Sequence, residues 1–183
     1  MRRYDHILLD ADNTLFDFDL AEHEALKRAT TERGYHFTEE IEQTYLTINR
    51  ALWAAFDRGE VEQKWLTVER FRRLDETLGG HNDPEIFNRD YLTYLGQSSI
   101  LLPGALELCR QLHEAGCELS IATNGVARVQ HARMDASPLR QYISHLFISE
   151  ERMAILKPEP NSAKSRMAES RFSAISDRDL SGR

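Results

Sequence analysis

Three short apolar runs constrain the fold of this 183-residue chain more than any other feature of its sequence. They occupy residues 7–9, 119–122 and 146–148, and polar or turn-forming residues follow each of them. Helical patterns separate the runs. Near-continuous apolar strands that alternate with helices are typical of a parallel sheet covered on both faces. We therefore predict an α/β protein with a Rossmann-like parallel sheet.

The long segment between the first and second runs has a helical character. Apolar residues recur there at helical spacing, as in Ile41, Tyr45, Ile48 and Leu52. Glycines punctuate the segment in the way that helix ends do. A βαβ crossover needs only one helix, so the pattern predicts a four-helix cap inserted at residues 18–97. Residues 1–17 and 98–160 then form the α/β core, and residues 161–183 a divergent tail.

Composition and charge exclude several classes of partner. The formal net charge of -7 argues against binding a nucleic acid polymer, which requires a basic surface. No apolar segment is long enough to cross a membrane. The two cysteines make a poor disulfide framework, which favours a reducing cytoplasm. The oligomeric state is not readable from these properties.

Two carboxylates, Asp10 and Asp12, directly follow the first apolar run. Ligands of open α/β sheets bind beyond the carboxyl ends of the strands, which is where these acids are expected to lie. Neighbouring acids push their pKa values apart, so one can act as a nucleophile and the other as a general acid. The alternative is an Asx-type turn built by Asp10, Asp12 and Asn13. Thr14 and the apolar residues after it favour a site, because a turn alone does not require them.

The later strands end in polar residues as well. The second is followed by Thr123, Asn124 and Gly125 and then by a predicted helix over residues 126–134. A hydroxyl beside free N–H groups at a helix N-terminus suits an anion, although helix capping explains the same residues. Lys157, before Pro158, follows the third strand. It is either a solvated loop residue or a cation that neutralises a phosphate.

In this order, the motifs resemble those of the haloacid dehalogenase-like (HAD) phosphohydrolases. The D-x-D-x-T motif of that family is matched by residues 10–14, its second-strand Ser or Thr by Thr123, and its Lys by Lys157. The stretches "DADNTLFDFD", "LLPGALEL" and "IATNG" are similar to the pyrimidine 5'-nucleotidase branch. That branch carries a helical cap inserted after the first motif.

The resemblance implies a role for each matched residue. Asp10 is expected to attack phosphorus and form an aspartyl-phosphate, and Asp12 to act as general acid and then as general base. Thr123 and Lys157 are expected to stabilise the transferring phosphoryl group. Asp10 and the main-chain carbonyl of Asp12 are expected to bind Mg²⁺. Three further positions are expected to contact the substrate, a nucleoside monophosphate: Thr14, Asn124 and Gly125.

The sequence departs from the family pattern after Lys157. The family has a fourth, acidic motif behind a fourth strand, and no match to it is found here. Asp177 and Asp179 are the only aspartates after Lys157, and no apolar run precedes them. We therefore expect the C-terminal strands of the core to be missing, with the first strand left at an edge of the sheet.

Two functional hypotheses follow. The first is a Mg²⁺-dependent phosphatase that acts on nucleoside monophosphates, or on another small organic phosphate. The second is a catalytically weak or inactive remnant that lacks the fourth motif. Four aromatic residues of the cap, Tyr45, Trp53, Phe56 and Trp65, have the right chemistry to stack on a base. Aromatic residues at helical spacing more often form the core of a helical module, so they are not assigned to the site.

Overall fold

A computed structural model describes residues 4–151, so the predicted tail at residues 161–183 lies outside the described residues. The described chain folds into three strands, six α-helices and one short 3-10 helix. In chain order the elements are β1 (His6–Leu9), α1 (Phe18–Thr31), α2 (Glu39–Asp57), α3 (Gln63–Thr77), α4 (Pro84–Gly96), α5 (Ala105–Glu114), β2 (Glu118–Thr123), α6 (Ala127–Asp135), the 3-10 helix (Pro138–Gln141) and β3 (Ile143–Ile148). No helix in this part of the chain combines the length and apolarity needed to span a bilayer.

The strands form one parallel sheet with the order β1-β2-β3, which confirms the predicted fold class. Leu9 at the end of β1 pairs with Ile121 of β2, and Thr123 at the end of β2 pairs with Ile148 of β3. Within the described residues, β1 lies at an edge of the sheet. Because the strands are parallel, the residues that follow β1 and β2 meet at the same side of the sheet.

The four predicted cap helices, α1 to α4, are present and share an apolar core, to which Val129 of α6 also contributes. Phe71 stacks on Phe87 with ring centroids 4.5 Å apart, and Tyr45 and Tyr91 complete a fully buried aromatic group. The ends of the helices follow the expected chemistry. Asp83 caps α4 by accepting hydrogen bonds from the main chain of its first turn, and proline occupies the first helical position.

The core of the α/β part lies between α5 and the sheet. Leu119 and Ile121 of β2 are fully buried, and Cys109 of α5 packs in the same cluster. Burying one such aliphatic side chain contributes about 1.5–3 kcal/mol to stability. Gly104 precedes α5 with a φ of 86°, a left-handed conformation that glycine adopts without steric cost. These contacts hold β2 in the centre of the sheet, so its C-terminal end is a rigid support for a site.

Candidate active site

The turn after β1 is built by the main chain of Ala11 and by Asn13. The Ala11 carbonyl accepts hydrogen bonds from the amides of Leu15 and Phe16, at 2.9 and 3.0 Å. Asn13 has a φ of 56°, a left-handed conformation that asparagine tolerates better than most residues. Its Oδ1 accepts a hydrogen bond from the amide of Phe18, the first residue of α1. Asn13 therefore shapes the turn, whereas the two acids face a pocket.

This pocket has a volume of about 320 Å³ and lies between the strand ends and the cap helices. Five of the residues predicted for the site line it: Asp10, Asp12, Thr123, Asn124 and Gly125. Thr14 reaches the pocket indirectly, since its Oγ1 donates a 3.2 Å hydrogen bond to Oδ2 of Asp10. The fold thus brings residues from two separate segments of the chain together at one cavity.

Thr123 ends β2 with its side chain buried beside the pocket. Its Oγ1 accepts a 3.2 Å hydrogen bond from the amide of Gly125, so the hydroxyl proton is left to donate to an anion. Helix capping does not explain this residue, because the N-cap of α6 is Val126 and makes no side-chain cap bond. The amide of Ala127 instead donates to Glu150, at 2.6 Å.

Lys157 lies outside residues 4–151, so its role in the site stays a prediction. Asn124 contributes a main-chain contact in addition to lining the pocket. Its carbonyl oxygen accepts a 3.2 Å hydrogen bond from the side chain of Gln63, the first residue of α3. This bond ties the loop after β2 to the cap helices.

Two residues of α6 that sequence reasoning missed bind the carboxylate of Asp12. Gln130 Nε2 donates to Oδ2 at 2.7 Å, and Arg133 Nη1 donates to Oδ1 at 2.5 Å. The side chain of Arg133 is fully buried, and that of Asp12 is 26% exposed. The only sequence signal is their spacing of three residues in the helix after Thr123, which places them on one face. That spacing does not distinguish them from an ordinary surface pair.

The opposite wall of the pocket comes from the cap helices α1 to α4. The lining residues there are Phe18, Asn49, Trp53, Arg70, Tyr91, Leu92 and Leu95. Arg70 is almost fully buried and donates to the side-chain oxygens of Asn49 and Asn88, at 3.1 and 3.3 Å. Asn49 in turn donates to Glu22 at 3.0 Å. Burial raises the pKa of Glu22, and the nearby Arg70 opposes that shift.

The four cap aromatics considered for base stacking have different surroundings. Tyr45 is fully buried in the core of the cap, as predicted, and Trp65 is 46% exposed. Trp53 lines the pocket, with the ring of Phe56 packed edge-on against it at 5.5 Å. From the sequence alone, none of these four aromatic residues was assigned to the site, so the position of Trp53 in the wall of the pocket was missed.

The donors at the end of β1 fit Mg²⁺ in their chemistry, because this ion takes hard carboxylate and carbonyl oxygens. Both side-chain oxygens of Asp12 are bound by Gln130 and Arg133, which leaves its main-chain carbonyl as the ligand. Residues 4–151 contain no group of three or more His, Cys, Asp or Glu side chains placed to hold a metal. Among the described residues, Asp10 and the Asp12 carbonyl are thus the oxygen donors whose chemistry fits the ion.

Paired acids beyond the ends of parallel strands, under a helical insertion, define an α/β protein with a pocket at its strand ends. The chain belongs to the haloacid dehalogenase-like hydrolase family, whose sequence profile matches residues 4–171. The predicted membership of this family is therefore confirmed.

Two relatives are about one-third identical to this chain over the aligned residues. The pyrimidine 5'-nucleotidase PynA of Streptococcus pneumoniae is 34% identical over 148 residues, which are 81% of this chain and 62% of PynA. The pyrimidine 5'-nucleotidase YjjG of Escherichia coli is 31% identical over 156 residues, or 85% of this chain and 67% of YjjG. The chain thus spans less than two-thirds of the length of PynA.

A solved structure shares the fold. The HAD hydrolase YfnB of Bacillus subtilis, in a crystal form bound to magnesium, superimposes with a TM-score of 0.77 at 28% identity. The match covers 88% of this chain and 75% of YfnB. The structure of YfnB is described as showing movement between its domains.

Proposed function

We propose that this protein is a Mg²⁺-dependent phosphomonoesterase that hydrolyses pyrimidine nucleoside monophosphates. The convergence of Asp10, Asp12 and Thr123 on one pocket is the observation that carries this proposal. The names of PynA and YjjG support the substrate class, and the magnesium bound to YfnB supports the metal.

Asp10 is the proposed nucleophile. One of its carboxylate oxygens attacks the phosphorus atom, the bond from phosphorus to the ester oxygen breaks, and an aspartyl-phosphate forms. The Thr14 hydroxyl orients the carboxylate through its hydrogen bond to Oδ2. Holding the nucleophile in one orientation lowers the entropic part of the barrier.

Asp12 donates a proton in the first half of the reaction and accepts one in the second. As an acid it protonates the ester oxygen of the departing nucleoside, and as a base it then takes a proton from the water that attacks the aspartyl-phosphate. Inorganic phosphate leaves and Asp10 is regenerated. The Thr123 hydroxyl donates to a phosphoryl oxygen, and the Gly125 amide orients that hydroxyl by donating to its Oγ1.

Asp10 and the main-chain carbonyl of Asp12 are the residues that would hold Mg²⁺. When bound, the ion neutralises negative charge on the phosphoryl group. The Asp10 carboxylate repels a phosphate, so a bound cation would also offset this repulsion.

We propose that residues 1–17 and 98–160 form the catalytic core and that residues 18–97 form a cap that selects the leaving group. The cap wall supports this division, since it holds a pocket-facing indole from Trp53 and a buried guanidinium from Arg70. An aromatic ring and hydrogen-bond donors match the flat face and carbonyl oxygens of a pyrimidine.

Release of inorganic phosphate from a panel of nucleotides and sugar phosphates, with and without Mg²⁺, tests the proposal. We expect the pyrimidine nucleotides to be the best substrates and turnover to require the metal. Asp10→Asn removes the nucleophile and should abolish turnover. Asp135→Asn is the matched control, because Asp135 is an exposed acid of the core and its change should leave the rate unaltered.

The competing hypothesis is the catalytically weak or inactive remnant that lacks the fourth motif. Folded protein with no Mg²⁺-dependent turnover of any ester in the panel would support the remnant and reject the enzyme. A clear preference for sugar phosphates would keep the chemistry but reject the nucleotide assignment.

A further inference from the structure

The carboxylate of Asp12 is held from both sides by side chains of one helix. We propose that Gln130 and Arg133, here called the Asp12 clamp, are positioning residues that fix this carboxylate for proton transfer to the leaving group. The inference rests on the proposed function for its chemistry. Gln130 binds Oδ2 at 2.7 Å and Arg133 binds Oδ1 at 2.5 Å, so each oxygen has its own donor.

The clamp is anchored in the core and not in solvent. Arg133 is fully buried, and its Nε donates to the Ser98 carbonyl at 3.0 Å. Its guanidinium carbon lies 4.5 Å from the ring centroid of Phe16, in the turn that follows Asp12. A buried arginine bound at three sides has little freedom to move, so the carboxylate that it binds is held in one rotamer.

Arg133 is costly for a side chain with a purely structural task. Its Nη2 is buried and has no hydrogen-bond partner among the residues that the structure describes. A buried polar group without a partner destabilises a protein, and large apolar residues fill such positions more cheaply. The geometry therefore favours a role in the chemistry of Asp12 over a role in packing.

Gly125 provides the room for the other half of the clamp. A Cβ atom at this position would lie 2.1 Å from Nε2 of Gln130, far inside contact distance. Gln130 would have to move away from such a Cβ, so we expect a side chain at this position to disturb its hydrogen bond to Asp12. Gly125, in the loop after Thr123, thus leaves the space in which Gln130 can bind Asp12.

Charged groups from each neighbouring element define the surroundings of the clamped carboxylate. Asp10 lies on its own segment, Arg133 belongs to α6, and Arg70 of α3 lines the facing wall of the pocket. Proton transfer depends steeply on distance and angle. Releasing the carboxylate should therefore slow steps in which the leaving group needs a proton, and spare steps in which it does not.

The test compares two substrates in kcat/KM, which reports the steps up to departure of the leaving group. Uridine monophosphate loses a poor alkoxide and needs a proton, whereas p-nitrophenyl phosphate loses a stable phenolate. We expect Arg133→Met to lower kcat/KM about 100-fold for the nucleotide and less than about threefold for the aryl ester. Arg133→Lys should recover about tenfold of the nucleotide activity, because a cation at that place restores one donor.

Two milder variants keep the proposal testable if Arg133→Met does not fold. Gln130→Met and Gly125→Ala should each show the same selective loss, of about tenfold on the nucleotide. Arg140→Met is the matched control, because Arg140 pairs with Asp135 at the surface, and this change should leave both substrates unaffected. Equal losses on the two substrates, or no loss on either, would overturn the proposal.

A second measurement separates the clamp from the proposed function. Arg133→Met and Asp12→Asn are combined in a double-mutant cycle of unfolding by urea, which requires no activity. The clamp predicts that the double variant loses less stability than the sum of the two single losses. Additive losses of stability would overturn the clamp. A wild-type protein that hydrolyses neither ester would reject the proposed phosphatase activity, and the double-mutant cycle would then still test the contact between Arg133 and Asp12.

Discussion

The two walls of the pocket are built by different means. The core wall consists of short segments at strand ends, and its polar groups are held by neighbouring main chain and by α6. The cap wall consists of helix faces, and it combines the indole of Trp53 and two leucines with the buried network of Arg70 and Asn49. A single hydrogen bond from Gln63 joins the cap to the loop after β2.

Under the proposed function, this difference gives the two walls distinct tasks. Strand ends in a packed sheet place oxygen atoms within fractions of an ångström, as phosphoryl transfer requires. Helix faces offer larger and more apolar surfaces, which discriminate between leaving groups. Apart from the Asp12 clamp, changes in the core wall should therefore affect all phosphate esters alike, and changes in the cap wall should depend on the group that leaves.

Among the variants that compare the two walls, a change of the Thr123 hydroxyl is expected to have the largest effect. Thr123→Val keeps the shape of the side chain and removes the donor, so kcat should fall about 100-fold or more for every ester, because one preorganised donor is worth that much. Thr123→Ser keeps the hydroxyl and should stay within about tenfold of the wild type. Steady-state phosphate release measures kcat for both variants. A loss confined to nucleotides would contradict a role of Thr123 at the phosphoryl group, which all the esters share.

Trp53 tests the cap wall. Trp53→Ala should lower kcat/KM for uridine monophosphate by about 10- to 100-fold, since stacking of a base on an aromatic ring is worth ~1–3 kcal/mol. Glycerol phosphate, which lacks a ring, should be hydrolysed as before. Trp65→Ala is the matched control, because Trp65 is exposed and does not line the pocket. Equal losses on the two substrates would remove the distinction between the walls.

Gln63 tests the contact between the walls. Gln63→Ala removes one hydrogen bond to the Asn124 carbonyl, worth about 1 kcal/mol, so kcat/KM should fall about fivefold for all esters. Gln43→Ala, at an exposed position of α2, should have no effect. Measuring kcat/KM for two esters tests this prediction. A change in the ratio of the two values would contradict a contact that only holds the cap against the loop after β2.

Glu22 tests the stability of the cap network and should have the smallest effect on catalysis. Burial raises the pKa of Glu22 in the folded state above its unfolded value, so its stabilising contribution is present at pH below about 4.5 and is lost as the pH rises through the folded pKa. Wild type should therefore lose free energy of unfolding relative to Glu22→Gln between pH 4 and 7. Urea unfolding measures this difference, and the exposed Glu24→Gln should show no such trend.

Much of the fold follows from patterns that are local in sequence. The three apolar runs predict β1, β2 and β3, and the helical spacing after Asp17 predicts four inserted helices, because periodicity records which face of an element is buried. The first and last residues of the elements follow less directly from the sequence. The predicted start of α6 at Val126 differs by one residue from the structure, where Val126 is the N-cap.

The site was predictable where a motif is contiguous and unpredictable where the tertiary fold supplies the partner. Asp10, Asp12 and Thr123 follow strands directly, so their place in an α/β sheet follows from topology. Gln130 and Arg133 resemble any polar pair on a helix until α6 packs against the turn after β1. Trp53 was indistinguishable from the aromatics of the cap core, because helical spacing alone does not say which of two packed faces a ring meets.

By itself, the sequence determined the fold class, the inserted helices and the chemical identity of the acids at the strand ends. Tertiary structure decided that Asn13 shapes the turn, that Arg133 is buried against Asp12, and that the facing wall presents Trp53. The physical reason is range. Alternation and helical periodicity are written within one element, whereas a hydrogen bond across 121 positions exists only once separate elements have packed together.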